Sequence, residues 1–289
     1  MASTIAQKFA GFASNLKPSD LPNEVIHHAK LCILDSFGIA LASTSYDFAD
    51  SALNAALALG GTGSSPVIGQ AAGLPLRDAL LVNGTLIHGL DFDDTHSESV
   101  VHCSASAIPI SFNMGVELHA SGADLLSAYV LAVEIDARIG EAAEGKLQKR
   151  GFHPTGIVGA YGCAAAAGWL NGIRKDQFEH ALGITLSMAS GSLEFLADGA
   201  WTKRLHPGWA AVAGLTASTL ATHNFTGPKR PFEGRFGLYN TLLGTPNNID
   251  FSLIGDDLGV SWRTLGTAFK PYPACHFNHA FADLSLIHI

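Results

Sequence analysis

Val25-Ile-His-His-Ala29-Lys-Leu-Cys-Ile33-Leu-Asp-Ser-Phe37-Gly-Ile-Ala-Leu41 decides the fold class. Val25, Ile26, Ala29, Ile33, Phe37 and Leu41 recur at spacings of three and four, the period of one buried helix face. Just upstream, Ser19-Asp20-Leu21-Pro22-Asn23-Glu24 sets a capping side chain ahead of a proline, predicting a helix start with Pro22 in its first turn. Residues 122–143 repeat the period with Leu125, Ala128, Ala132, Ile135 and Ile139. Asp176-Gln-Phe-Glu179 has capping-box spacing and predicts a helix through Ala189. Residues 156–170 and 209–222 are dense in Gly and Ala, which let helix axes approach closely, so these two are predicted to be central.

Strand signals are sparse. Gly60-Gly-Thr-Gly-Ser-Ser-Pro66 reads as a loop leading to a short extended piece at Val67-Ile68, and residues 224–246 read as an irregular connector. Val260-Ser-Trp262 looks extended, and Phe269-Lys-Pro-Tyr-Pro273 holds too much proline for a helix interior. The pattern is helical for about the first 250 residues, with a second, mixed domain beginning near the end.

Composition excludes several classes. Of 289 residues, 47% are hydrophobic and 15% charged, too apolar for a disordered chain. A net charge of −8 argues against a nucleic-acid or anionic-lipid surface. The apolar run 157–170 is shorter than the roughly 18 residues a membrane span needs, and Met1-Ala-Ser-Thr-Ile-Ala-Gln-Lys8 does not resemble a signal peptide. The expectation is a cytoplasmic protein with no membrane and no nucleic-acid partner. Cys32, Cys103, Cys163 and Cys275 form no CxxC pair, so neither a disulfide framework, a zinc knuckle nor an iron–sulfur spacing is present. Charge divides unevenly: residues 1–145 hold 5 basic and 16 acidic side chains, residues 146–289 hold 12 and 9. Folding that joins the halves would make a pocket of mixed sign; the alternative is two solvated surfaces.

Common motifs fail. GxSxG is absent, Gly61-Thr-Gly63 meets Pro66 where a dinucleotide fingerprint needs glycine, and Gly140-Glu-Ala-Ala-Glu-Gly145-Lys146 puts Leu147 where a P-loop needs Ser or Thr. His88-Gly-Leu-Asp-Phe-Asp-Asp-Thr-His96 is different: three carboxylates, a hydroxyl and two imidazoles fall within nine residues, with His102 six further on. If the preceding helix continues to Asp91, His88 and Asp91 share a face, and Asp91 and Thr95 converge similarly. Three readings stay open on these residues: Asp93 and Asp94 as helix caps with His96 at the surface, acid/base chemistry, or a metal site.

Asn83-Gly-Thr-Leu-Ile-His88-Gly-Leu-Asp91-Phe-Asp-Asp-Thr95-His96 resembles the signature of the MmgE/PrpD family, which includes 2-methylcitrate dehydratase, cis-aconitate decarboxylase and iminodisuccinate epimerase. The likeness continues through Gly151-Phe-His153-Pro, Asp198-Gly-Ala-Trp-Thr-Lys203-Arg-Leu-His206-Pro-Gly and Phe269-Lys270-Pro-Tyr-Pro273. It implies an all-α domain over residues 1–265 and the beginning of an α+β lid domain at 266–289, truncated at the C-terminus because family members are longer. It also implies a homodimer, a small di- or tricarboxylate substrate, and chemistry that uses no metal or organic cofactor. Matched position by position, it implies His102, His153 and Asp91 as catalytic residues, Asp91 orienting an imidazole, and Thr95, Lys203 and Lys270 as substrate-binding residues. Such a set suits proton abstraction next to a carboxylate, histidine acting as base and lysine holding the developing charge. Cys275, followed by His276, stands where some relatives have histidine, which inclines the expectation toward dehydratase-like loss of water. Decarboxylation, epimerisation and an inactive fragment are the alternatives. His206 is set aside as a helix cap.

Overall fold

A helix apolar all round has to be surrounded, and residues 154–170 carry no polar stripe. The computed structural model, which describes residues 3–245 and 248–289, shows how this is met. In chain order its elements are α1 (Ile5–Asn15), α2 (Asn23–Ser43), α3 (Asp47–Gly60), α4 (Leu76–Ile87), β1 (Thr95–His96), α5 (Cys103–Glu117) and α6 (Gly122–Ala143). They continue with α7 (Lys146–Lys149), α8 (Pro154–Leu170), α9 (Lys175–Thr185), α10 (Thr202–Thr222), α11 (Leu238–Leu243), β2 (Thr267–Ala268) and α12 (His279–His288). The protein is mainly α, as the periodicity predicts. Helix α8, buried from Pro154 to Gly168, is enclosed by α10, α6, α5 and α9.

The small residues do what their composition implies. A Cβ at Gly214 would lie 2.5 Å from Cys163 Cβ across the α10–α8 contact, and one at Gly162 would lie 2.5 Å from the Ala132 carbonyl of α6. Gly208 of α10 is tighter still, since its Cβ would stand 2.2 Å from the backbone oxygen of Leu81 in α4. No rotamer change relieves a clash with backbone. Gly208→Ala is therefore expected to destabilise the fold by about 3 kcal/mol and lower Tm by roughly 5–10 °C. An unchanged melting curve would show that α4 and α10 do not approach this closely.

Several local expectations are corrected. Pro22 occupies the N-cap of α2 and lies outside its first turn, while Asp20 accepts the Lys17 N–H one turn earlier. Leu41 is exposed together with Leu31 and Leu34: the buried stripe of α2 runs through Val25, Ala29, Cys32, Ser36, Ile39, Ala40 and Ser43, and Leu41 lies to one side of it. The capping box of α9 sits two residues earlier than expected, with the Gln177 side chain accepting the Arg174 N–H. That helix ends at Thr185, where the Ser187 and Met188 N–H groups turn back to the Ile184 and Thr185 carbonyls. Val67-Ile68 lies in a loop flanked by the bridges Gly63–Gly73 and Ser65–Leu74. The connector contains α11, and its last residue, Pro246, lies outside the described residues, as do Met1 and Ala2. Helix α2 is long and apolar enough to cross a membrane, by length and composition alone; here it packs on α4, α5 and α6.

Val260 and Ser261 lie in a turn, Trp262 is extended but unpaired in any strand, and the strand pairing lies further on. Thr95 and His96 of β1 pair antiparallel with Ala268 and Thr267 of β2. Buried charge anchors the approach to β2. Glu134 of α6 accepts from Thr264 N and Oγ1, both at 2.7 Å, and pairs with Arg138 one turn on. Arg138 in turn donates to the Ser261 carbonyl at 2.7 Å, and Arg263 pairs with Glu141 at 3.0 Å. This clamp fixes the chain three residues before β2, and β2 delivers Lys270 to the aspartate-rich loop.

Candidate active site

Helix α4 ends at Ile87, so His88 is its C-cap and Asp91 lies beyond, in a left-handed turn with φ 51°. The shared helix face expected for His88 and Asp91 therefore does not form. Aspartate tolerates this backbone region better than most residues. The turn brings the Asp91 carboxylate to the basic half of the chain. Asp91 Oδ2 pairs with Lys203 Nζ at 2.5 Å and Oδ1 with Lys270 Nζ at 2.8 Å, while Lys270 also donates to the Asp91 carbonyl at 2.8 Å. The acidic and basic halves do meet. Asp91 orients two ammonium groups, not an imidazole.

Asp93 takes the place expected of Asp91. It is fully buried, accepts from His88 Nδ1 at 2.8 Å, and the same oxygen lies 3.5 Å from His102 Nδ1. Asp94 is a cap, as one reading held: its carboxylate accepts from Ser104 Oγ and from Ser104 N in the first turn of α5. Burial raises the Asp94 carboxyl, opposed by the Ser104 bond and reinforced by Asp93, to about 7. His96 is buried on β1, bonded to Ser99 and clear of the surface.

Three helix N-termini deliver the remaining groups. His102 is the N-cap of α5, His153 the N-cap of α8, and Lys203 lies in the first turn of α10. His102, His153, Lys203 and Thr95 all line one cavity of about 280 Å³, closed on other sides by Gln148, Phe195, Cys275 and His276. Lys270 sits behind it, and Asp91 borders an adjoining cavity. His102 Nδ1 lies 2.9 Å from the Asp94 carbonyl and 3.2 Å from Thr95 Oγ1. A carbonyl can only accept, so Nδ1 carries the hydrogen and Nε2 keeps its lone pair. Burial brings His102 down to about 3, opposed by the Asp93 carboxylate and assisted by the charges of Lys270, His88 and Lys203. Burial and neighbouring positive charge also hold His153 well below its ordinary value and bring His206 to about 4. These imidazoles are neutral at pH 7.

Two functional candidates lie outside the residues that the resemblance assigns. His206, set aside as a cap, lies inside α10 and shares a 2.9 Å bond between Nδ1 atoms with His153; its spacing of three from Lys203 was the available signal. His88 belongs to the nine-residue cluster whose acid/base and metal readings stay open, and the resemblance gives it no role. Its ring lies 5.5 Å from that of His153 and 4.9 Å from that of His102. His88, Asp93 and His102 are also the group, among the described residues, whose potential metal-ligand atoms fall within 4.8 Å of one another. Both Nδ1 atoms there already donate hydrogen bonds, and Lys203 and Lys270 add positive charge nearby, so the set favours proton chemistry over a cation.

Asp91 gives this ion-pair cluster a measurable pH signature. Burial alone would raise its carboxyl, but His88, Lys203 and Lys270 hold it at about 2 against an ordinary 3.8. A depressed carboxyl stabilises the fold above its unfolded pKa, and that stabilisation is lost as pH falls from 3.8 toward about 2. Acid unfolding of Asp91→Asn should therefore be flatter than wild type in that window. Identical slopes would show the pairs are not formed in solution.

The sequence profile of the MmgE/PrpD N-terminal domain matches residues 7–249. The chain belongs to the MmgE/PrpD family. Among curated members, the cis-aconitate decarboxylase of Aspergillus terreus is 29% identical over 96% of this chain. The human and mouse cis-aconitate decarboxylases are each 32% identical over 98% of it. The chain spans about 58% of the length of these relatives. The MmgE/PrpD profile ends before β2, so Lys270, Cys275 and His276 lie outside the matched domain.

Proposed function

We propose that this chain carries the proton-transfer pocket of a lyase acting on a small di- or tricarboxylate. The observation that supports it best is the meeting of three helix N-termini at one cavity, with His102, His153 and Lys203 at their heads and no acidic side chain in any of the three first turns. Helix N-termini and ammonium groups favour an anion, and the burial of His102 and His153 strengthens that preference.

The residues divide the work. His102, with Nε2 unprotonated, removes the proton next to a substrate carboxylate, and His153 returns one through its bond to His206. Thr95 and Lys203 hold carboxylates, and Lys203 with Lys270 stabilises the enediolate-like charge that develops. The same lysine charges that depress His102 are neutralised when a polyanion binds, which raises the imidazole toward the range where a general base works. No step calls for a metal or organic cofactor.

Two outcomes share this pocket. Loss of carbon dioxide from a cis-aconitate-like substrate, in which the electron pair of the broken C–C bond takes a proton from an imidazole, is favoured by the names of the relatives. Loss of water, in the manner of 2-methylcitrate dehydratase, is favoured by Cys275 on the cavity wall. The structure weakens the second argument, because His276 lines the same wall and brings an imidazole one position later. The test is to incubate the chain, after dialysis against a strong chelator, with cis-aconitate or 2-methylcitrate in deuterium oxide and follow proton NMR. Turnover undiminished by the chelator is expected, with deuterium on a product carbon where carbon dioxide is lost and none delivered to carbon where water is lost. No turnover of either compound overturns the reading, and loss restored by added metal overturns cofactor independence.

A further inference from the structure

A second cavity, of about 230 Å³, adjoins the first, sharing Lys203, Phe195 and Leu196 with it; His88, Asp91, Ala200 and Arg204 complete the part that matters. Arg204 is half-buried there. Its Nε donates to the Gly89 carbonyl at 2.7 Å and its guanidinium carbon sits 4.7 Å from the Phe48 ring centroid. Those contacts fix the plane of the group but leave both terminal nitrogens with no protein acceptor, and no carboxylate pairs with it among the described residues. Lys203 and Lys270 already share the single carboxylate of Asp91. Around this cavity, then, three cations face one anion. The His88 ring forms part of the wall, and its Nε2 is a buried nitrogen without a hydrogen-bond partner.

The half-buried guanidinium keeps two donor nitrogens free of protein acceptors beside this cavity, and its planar fork matches a carboxylate. We propose that the second cavity is a carboxylate subsite in which Arg204 grips one carboxylate of the same substrate whose reacting end lies against His102 and His153, with Lys203 between the two ends. This rests on the polycarboxylate reading above and adds to it a residue, Arg204, that selects for the number and spacing of carboxylates. Asp91 acquires a role in the same picture: by holding Lys203 from one side it fixes the ammonium between the two cavities.

Calorimetric titration of the 289-residue chain with two unreactive ligands tests the proposal. Tricarballylate carries three carboxylates; glutarate has the same backbone without the central one. Wild type is expected to bind tricarballylate at least about 10-fold more tightly, the effect of one charge-assisted contact. Arg204→Gln leaves one subsite fewer for both ligands, so the preference should collapse to within about 3-fold. Ala200→Phe, which replaces a residue lining the second cavity and not the first, should do the same by filling it, and serves if loss of the Gly89 bond unfolds the arginine variant. A preference that survives Ala200→Phe, or no preference in wild type, overturns the subsite while glutarate binding leaves the polycarboxylate reading standing. Failure of wild type to bind either ligand overturns both.

Discussion

Lys203→Met is expected to lower kcat/KM by about 10²–10³-fold, the usual effect of removing one preorganised group that stabilises transition-state charge. The methionine keeps most of the stem, so packing against Phe195 and Leu196 survives while the charge goes. The fold tolerates the loss because Asp91 keeps its second partner: Lys270 Nζ still meets Oδ1 at 2.8 Å and the Asp91 carbonyl at 2.8 Å. The carboxylate is thus not stranded, the situation that makes broken buried ion pairs so damaging. Circular dichroism and Tm near wild type, with turnover lost, would fit. Turnover within about 3-fold of wild type would mean that the ammonium does not face the developing charge.

The reason Lys203 and Lys270 meet at one carboxylate shows what sequence alone conveys. Helix α6 runs from Gly122 to Ala143 as its spacing predicts, because an apolar period on one face leaves few alternatives. The crowding of Gly and Ala in α8 and α10 predicts close central helices for the same physical reason. Turn geometry is a different matter. Whether Asp91 or Asp93 reaches an imidazole depends on α4 stopping at Ile87 and on a positive φ at Asp91, neither of which alters the residue pattern. Val260-Ser-Trp262 has strand-forming residues, yet Arg138 and Glu134 hold the flanking backbone and only Trp262 is extended, so tertiary ionic anchoring overrides local propensity. The family resemblance named Asp91, Thr95, His102, His153, Lys203 and Lys270. It did not say that Lys270 arrives by way of a two-residue strand pair, or that His88, Asp93 and His206 complete the imidazole cluster.

Asp93→Asn is expected to be the most informative substitution in that cluster. One buried carboxylate oxygen serves His88 Nδ1 at 2.8 Å and His102 Nδ1 at 3.5 Å, and Oδ1 has no partner. Burial alone would raise this carboxyl, but the His88 and His102 charges, the His88 bond and Lys270 hold it well below the usual carboxylate range. Reciprocally, its negative charge is the influence that raises His102 against burial and the lysines. Asparagine keeps the shape and removes the charge. His102 then becomes a weaker base: the acid limb of the pH–rate profile moves to lower pH, and kcat falls by about 100-fold at the plateau. The new amide also buries an NH₂ where Oδ1 found no partner, lowering stability by about 1–3 kcal/mol. A residue that only filled space would lower Tm and leave the acid limb where it was. Wild-type kcat with an unmoved limb would remove Asp93, and with it the assignment of His102 as base.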